Sequence, residues 1–95
     1  MSALWIATVD VTDDAAYGDY VKVASEVIPA HGGRFIARGG RYVQLEGRER
    51  ARNVVAKFPT LEDAVAAYND PRYQAAVTVA KAASDREIVV VEIDD

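Results

Sequence analysis

The order of strand-like and helix-like patterns constrains the fold of this chain more than any other sequence feature. The segment from Leu4 to Val11 is rich in aromatic and β-branched residues, as strands are, and the polar residues after it predict a helix that begins at Thr12. Apolar residues then recur at spacings of three and four as far as Ile28, which predicts an amphipathic helix. Pro29 and then Gly32-Gly33 are expected to end that helix.

The remainder of the chain continues with a hairpin, a helix in two pieces and a last strand. The segment from Arg34 to Arg38 alternates polar and apolar residues, and a short extended piece from Tyr42 to Leu45 follows a glycine pair. A third strand is predicted from Arg52 to Phe58. The next helix is expected in two pieces, because Asp70 is a typical N-cap and Pro71 is favoured in the first turn of a new helix. The last strand is predicted from Glu87 to Ile93.

This order of elements is that of one known α+β architecture. Strand, helix, strand, strand, helix and strand is the βαββαβ order of the split βαβ, or ferredoxin-like, fold. Its two right-handed crossovers place a four-stranded antiparallel sheet in the order 4-1-3-2, with the helices on one face. Because the chain has only 95 residues, we expect one domain spanning residues 1–95.

Composition removes several classes of function. The chain has no cysteine and a single histidine, so thiol catalysis and cysteine-based metal sites are excluded, and we expect no bound metal. No P-loop or dinucleotide fingerprint is present, and we expect no cofactor. The net charge of −4 argues against nucleic acid as a partner. No apolar run is long enough to span a membrane, and no basic residue precedes the segment from Leu4 to Val11 as it would in a signal peptide, so we expect a cytoplasmic protein without a membrane partner.

Strand alternation assigns each residue of the sheet to one of two faces. The face expected to meet the helices holds Trp5, Ala7, Val9, Val11, Phe35, Ala37, Gly39, Val54, Ala56, Phe58, Val89, Val91 and Ile93. The other face holds Leu4, Ile6, Thr8, Arg34, Ile36, Arg38, Asn53, Val55, Lys57, Ile88, Val90 and Glu92. Half of this second set is Leu, Ile or Val, more than a water-facing surface tolerates, and the simplest cover is the same surface of a second copy. We therefore expect a homodimer.

The polar residues of that second face predict a ligand site between the two sheets of the dimer. Arg34 and Arg38 could grip an anionic or carbonyl-bearing small molecule, or could pair with Glu92 of the partner chain. Thr8 and Asn53 would line the same space.

The only histidine, His31, completes the set of candidate ligand-binding residues. As a general base it would need a partner that the spacing does not identify. Its position at a helix C-terminus favours a structural role.

Two further groups of residues have alternative interpretations. Arg48, Arg50 and Arg52 could bind phosphate, but a charged and solvated edge strand is favoured. Four tyrosines fall on the helix stripes, where core packing is favoured and one or two hydroxyls could still touch a ligand; they are Tyr17, Tyr20, Tyr68 and Tyr73.

Several segments together resemble domain of unknown function family 1330. They are Trp5-Ile6-Ala7 with Val9-Asp10-Val11, Tyr17 with Tyr20, Gly32-Gly33-Arg34-Phe35 leading into Ala37-Arg38-Gly39-Gly40, Leu45-Glu46-Gly47, Phe58-Pro59-Thr60, and Tyr68 with Pro71 and Tyr73-Gln74. The resemblance implies membership of the dimeric α/β-barrel superfamily, in which two ferredoxin-like sheets pack face to face. It carries no catalytic role.

The sequence is therefore consistent with two functions. The first is a homodimeric domain that binds a small organic molecule, anionic or neutral, between its sheets. The alternative, implied by the wider superfamily alone, is a cofactor-independent enzyme of oxygenase or isomerase type that acts on a small organic substrate in the same cavity.

Overall fold

Seven elements follow one another in the predicted order in the computed structural model, which describes residues 1–95. They are β1 (Ala3–Val11), α1 (Asp14–Ala30), β2 (Arg34–Arg38), β3 (Arg52–Phe58), α2 (Leu61–Asn69), α3 (Pro71–Ala83) and β4 (Ser84–Glu92). The strands form one antiparallel sheet in the order β2-β3-β1-β4. This confirms the predicted ferredoxin-like α+β fold and its strand order. None of the helices is long and apolar enough to cross a membrane.

The helices begin at side-chain caps, one of them displaced from its predicted position. The cap of α1 is Asp13 rather than Thr12, and its carboxylate accepts a hydrogen bond from the backbone N–H of Ala16 at 3.1 Å. The N–H groups of Thr12 and Asp13 both donate to the carbonyl of Ala83, at 2.8 Å and 3.1 Å, which joins the start of α1 to the end of α3. The predicted cap of α3, Asp70, is confirmed.

The end of α1 also differs slightly from the prediction. Pro29 lies within the last turn instead of ending the helix, which continues to Ala30. The chain then turns at Gly32, whose φ of +83° is the left-handed conformation that glycine adopts without strain.

The core lies between the helices and one face of the sheet, with Trp5 at its centre. The indole of Trp5 is 1% exposed. Its ring lies 6.1 Å from the ring of Phe58, 6.0 Å from that of Tyr68 and 5.4 Å from that of Tyr73, measured between centroids. These tilted and edge-on contacts join β1, β3, α2 and α3 into one packed layer.

The two faces of β4 are the reverse of the prediction. Trp5 pairs with Val90 and Ile6 pairs with Val89, so Val90 lies beneath the helices and Val89 on the open side. The alternation carries Ile88 and Glu92 to the helix side as well. The prediction was wrong because four consecutive β-branched residues, 88–91, contain no polar alternation, and only the register with β1 decides their facing.

A bulge in β2 corrects the predicted position of Arg38. Phe35 pairs with Ala56, but the next pair is Ala37 with Val55, so one extra residue, Ile36, is inserted. Arg38 then pairs with Val54 and lies on the helix side instead of the open side. Ala37 moves to the open side by the same step.

The helix-free side of the sheet, called the open face below, keeps its apolar character after these corrections. Val89, which is 56% exposed, and Val91 take the places assigned to Ile88 and Val90. The apolar residues that the strand register places on the open face are Leu4, Ile6, Ala37, Val55, Val89 and Val91.

The segment between β2 and β3 is irregular, and the extended piece predicted from Tyr42 to Leu45 is not a strand. Two ion pairs connect the segment to β4. The Arg48 guanidinium lies 2.8 Å from a carboxylate oxygen of Asp85, and the Arg50 guanidinium lies 3.4 Å from a carboxylate oxygen of Glu87. Arg50 is 6% exposed, so the expectation of a solvated arginine was wrong at this position. Ion pairing with the acids of β4 explains its burial.

Candidate functional site

The predicted site residues do not converge in the protomer. Thr8 and Asn53 pair across β1 and β3, and Arg34 lies on the same open face opposite Lys57. Arg38 and Glu92 lie on the helix side of β2 and β4, the two opposite edges of the sheet. The structure therefore brings Thr8 and Asn53 together, and it places neither Arg38 nor Glu92, which were expected to pair between two protomers, on the open face.

Arg38 contacts α1 and its own strand. Its guanidinium lies 4.0 Å from the centroid of the Phe35 ring and donates a hydrogen bond to the hydroxyl of Ser25. The space enclosed beside it is about 30 Å³, room for little more than one water molecule. No organic ligand fits there in this conformation.

His31 lies at the end of α1 and contacts the junction of α2 and α3. Its Nε2 is 2.9 Å from a carboxylate oxygen of Asp70, which also accepts hydrogen bonds from Arg72. The hydrogen bond from Arg72, followed by that from His31, holds the pKa of the Asp70 carboxyl well below its usual range. The contacts of His31 are those of a structural residue that joins two helices. The structure contains no group of three or more His, Asp or Glu side chains placed to hold a metal ion.

Replacement of Asp70 by asparagine is expected to reduce the acid sensitivity of the fold. The folded protein favours ionised Asp70, so its stabilising effect is present above the ordinary carboxyl pKa of about 4 and is lost as the pH falls below that value. Urea denaturation between pH 7 and pH 2.5 should show a flatter decline for Asp70→Asn than for the wild type. The matched control is Glu46→Gln, which should leave the acid decline unchanged, because Glu46 is exposed, lies outside the helices and strands and forms no ion pair. Equal declines for all three proteins would contradict this role of Asp70.

A cavity lies on the helix side of the sheet, between β4 and the α2 and α3 helices. Its volume is about 450 Å³, within the range of sites for small organic molecules. It is called the helix-side cavity below. The residues that line it are Val65 and Tyr68 of α2, Lys81 of α3, and Ser84, Asp85, Arg86, Ile88 and Val90 of β4.

Arg86 is the residue of this cavity that the sequence did not identify. It pairs with Val9 in the register of β1 and β4, which places it beneath the helices. Its guanidinium carbon lies 4.6 Å from the centroid of the Tyr20 ring, and its Nη2 lies 3.5 Å from the hydroxyl of Tyr73. Its Nη1 is buried and has no hydrogen-bond partner. The side chain thus carries a partly buried positive charge among neutral groups.

The tyrosines beside Arg86 are core residues, as predicted. The hydroxyls of Tyr20 and Tyr73 are 2.6 Å apart and hydrogen-bonded. Burial raises the pKa of the Tyr73 hydroxyl far above its usual range, so the group stays protonated at neutral pH. Tyr68 alone among the four predicted tyrosines lines the helix-side cavity.

The acid of the cavity wall forms ion pairs, whereas the two cations of the wall do not. Its one acid, Asp85, is 2.8 Å from the guanidinium of Arg48 and 3.7 Å from that of Arg50. Neither of its two cations, Lys81 and Arg86, forms an ion pair with any acid of the chain. The cavity therefore has two cations available to a ligand and an acid that is already neutralised.

Comparison with known proteins identifies a family and a fold. The family described as "Domain of unknown function (DUF1330)" matches residues 2–93. No curated protein sequence matches the chain.

Three solved structures illustrate the similarity of fold. A protein of unknown function from Rhodopseudomonas palustris has a TM-score of 0.81 at 19% identity, over 99% of this chain and 83% of that one. A dimeric ferredoxin-like protein of unknown function from Jannaschia sp. CCS1 has a TM-score of 0.76 at 13% identity, over 98% and 100% of the two chains. SnoaB, a cofactor-independent oxygenase from Streptomyces nogalater, has a TM-score of 0.66 at 14% identity, over 99% and 94%. At these identities the likeness concerns the fold alone.

Proposed function

This chain belongs to the DUF1330 family, and from its geometry we propose that it is a homodimer in which each protomer binds a small organic molecule in its helix-side cavity. The observation that carries this proposal is the cavity itself, which has a volume of about 450 Å³ and combines apolar walls with an unpaired arginine. A few polar groups in a mostly apolar concavity are typical of small-molecule sites.

The helix-side cavity replaces the space between two sheets as the proposed site. The earlier expectation relied on Arg38 and Glu92 lying on the open face, and both lie on the other side of the sheet. Thr8, Asn53 and Arg34 remain on the open face, where the dimer would bury them at its interface. Their role in ligand binding stays a prediction, secondary to the cavity.

Two observations support the homodimer. The open face presents apolar side chains from all four strands, and such a patch is rarely left in contact with water. A structural neighbour, the Jannaschia protein, is described as dimeric. A second copy of the same face would cover the patch by twofold symmetry.

The alternative is a cofactor-independent enzyme that uses the same cavity, and the likeness in fold to SnoaB is what supports it. Such chemistry on an enolisable substrate needs a group that removes a proton. Asp85 is the only acid on the cavity wall, and it is paired with Arg48 and Arg50. Tyr73 is protonated at neutral pH, as tyrosines ordinarily are, and burial raises the pKa of its hydroxyl further. Without a free base, we favour binding over catalysis.

Substitution of Val65 by tryptophan tests the proposed site, because this side chain is exposed on α2 and lines the cavity. The indole should fill much of the cavity without disturbing the core. We expect methyl NMR signals of Ile88 and Val90 to shift when the wild type is titrated with a set of aliphatic and aromatic acids and their matched alcohols. In Val65→Trp these affinities should fall by at least about tenfold, equivalent to about 1.4 kcal/mol.

The matched control is Val79→Trp, which adds the same side chain at an exposed valine of α3 outside the cavity. It should bind as the wild type does. If no compound of the set shifts the Ile88 and Val90 signals, or if both tryptophan variants bind equally well, the cavity is not the ligand site. Recovery of each compound unchanged after incubation in air supports binding alone, and its conversion would favour the enzyme.

A further inference from the structure

The charge of Arg86 has no counter-charge within the protein. Its guanidinium contacts the face of the Tyr20 ring and the hydroxyl of Tyr73, both neutral, and its Nη1 is buried without a hydrogen-bond partner. Removing a cation even partly from water is unfavourable when no carboxylate compensates for the lost hydration. This cost is removed when an anion enters from the cavity that Arg86 lines.

The rest of the wall agrees with an anionic ligand. Lys81 is the second cation of the cavity and also lacks an acidic partner, while Asp85 is neutralised by Arg48 and Arg50. The chain as a whole has a net charge of −4, so this unpaired positive charge does not reflect a generally basic surface. It is a local arrangement of the helix-side cavity.

The apolar part of the wall describes the rest of the ligand. Val65, Ile88 and Val90 supply aliphatic surface, and Tyr68 supplies an aromatic ring. A volume of about 450 Å³ exceeds what a simple inorganic ion would occupy. The wall therefore suits a molecule with one charged end and an apolar body.

We infer that the ligand is a small organic anion, whose carboxylate pairs with Arg86 while its apolar body packs against Tyr68, Ile88 and Val90. Arginine suits this role because its planar fork of N–H donors matches a carboxylate. Lys81, which is exposed, adds attraction at the rim of the cavity. This inference rests on the proposed function, since it assigns a ligand class to the same cavity.

The test compares 4-phenylbutyrate with 4-phenylbutanol, which share an apolar body and differ in charge. Isothermal titration of the wild type should show tighter binding of the acid by about tenfold to a hundredfold, the effect of hydrogen bonds to a charged group. Arg86→Met should remove this preference, and Arg86→Lys should keep part of it. Lys81→Met should weaken acid binding by a few-fold, and less so at high salt. The control Lys22→Met changes an exposed lysine of α1 and should have no effect.

The outcomes separate this inference from the proposed function. If the acid and the alcohol shift the Ile88 and Val90 methyl signals with equal affinity, the inference that the ligand is an anion is contradicted. The cavity then remains the proposed binding site. If neither compound binds, both the anionic ligand and the cavity as a binding site are contradicted. A purely structural Arg86 would lower the melting temperature when changed to Met and leave the preference for acid in place. If Arg86→Met does not fold, an unchanged preference in Arg86→Lys, together with no shift of the Arg86 Nε–Hε signal of the wild type on titration, would overturn the inference.

Discussion

Replacement of Val55 by aspartate is expected to convert the proposed homodimer into folded monomers. Val55 lies in the middle of the open face, paired with Ile6 on one side and with Ala37 on the other. In a twofold dimer each substitution occurs twice at the interface, and each buried, unpaired carboxylate costs several kcal/mol. Sedimentation equilibrium at micromolar concentration should therefore give twice the chain mass of 10.3 kDa for the wild type and the chain mass for Val55→Asp.

The matched control for Val55→Asp is Val79→Asp, which places the same charge at an exposed valine of α3 in the other layer of the molecule. It should remain dimeric. The circular dichroism of Val55→Asp should match that of the wild type, because the open face is not part of the protomer core. A wild type that sediments as a monomer, or a Val55→Asp variant that remains a dimer, would exclude the open face as the interface.

Replacement of Trp5 by alanine is expected to cause the largest loss of stability, of about 3–5 kcal/mol. The indole is almost completely buried and contacts the rings of Phe58, Tyr68 and Tyr73. Its removal leaves a cavity at the point where two helices meet the sheet. Because small domains are stable by only about 5–15 kcal/mol, this loss is a large part of the free energy of unfolding, which urea denaturation followed by circular dichroism would measure.

The loss of stability in Trp5→Ala can be compared with the effect of a substitution at an exposed residue. Val43 is 81% exposed in the segment between β2 and β3, so Val43→Ala should change the free energy of unfolding by no more than about 0.5 kcal/mol. Trp5→Phe keeps an aromatic ring in the cluster, so its loss of unfolding free energy should lie between those of Trp5→Ala and Val43→Ala. A loss of less than about 1.5 kcal/mol in Trp5→Ala would show that the indole is not the centre of the core.

The fold could be predicted from the sequence because its local signals agree with one another. Asp70 followed by Pro71 marks the start of α3, and Thr60 starts α2 by accepting a hydrogen bond from the N–H of Asp63 at 3.0 Å. Alternation in β3 predicts which of its residues are buried. Each of these signals is contained within a few residues, so no knowledge of distant pairing is needed.

The candidate site depended on contacts that no local pattern contains. Asp85, Arg86 and Glu87 are three consecutive charged residues, and nothing in their order shows that the middle one lies beneath the helices. That placement follows from the pairing of Arg86 with Val9, more than seventy positions earlier in the chain. The same register placed Glu92 on the helix side and removed it from the predicted site.

The bulge in β2 links the length of a strand to the assembly of the protein. With Ile36 inserted, the cation of Arg38 turns toward Ser25 of α1, and only uncharged residues of β2 lie opposite Val55. Deletion of a single residue here would restore plain alternation and place the arginine among the apolar side chains of the open face. If the open face is the dimer interface, a change of one codon in length is therefore expected to weaken the dimer with no substitution in the contact surface.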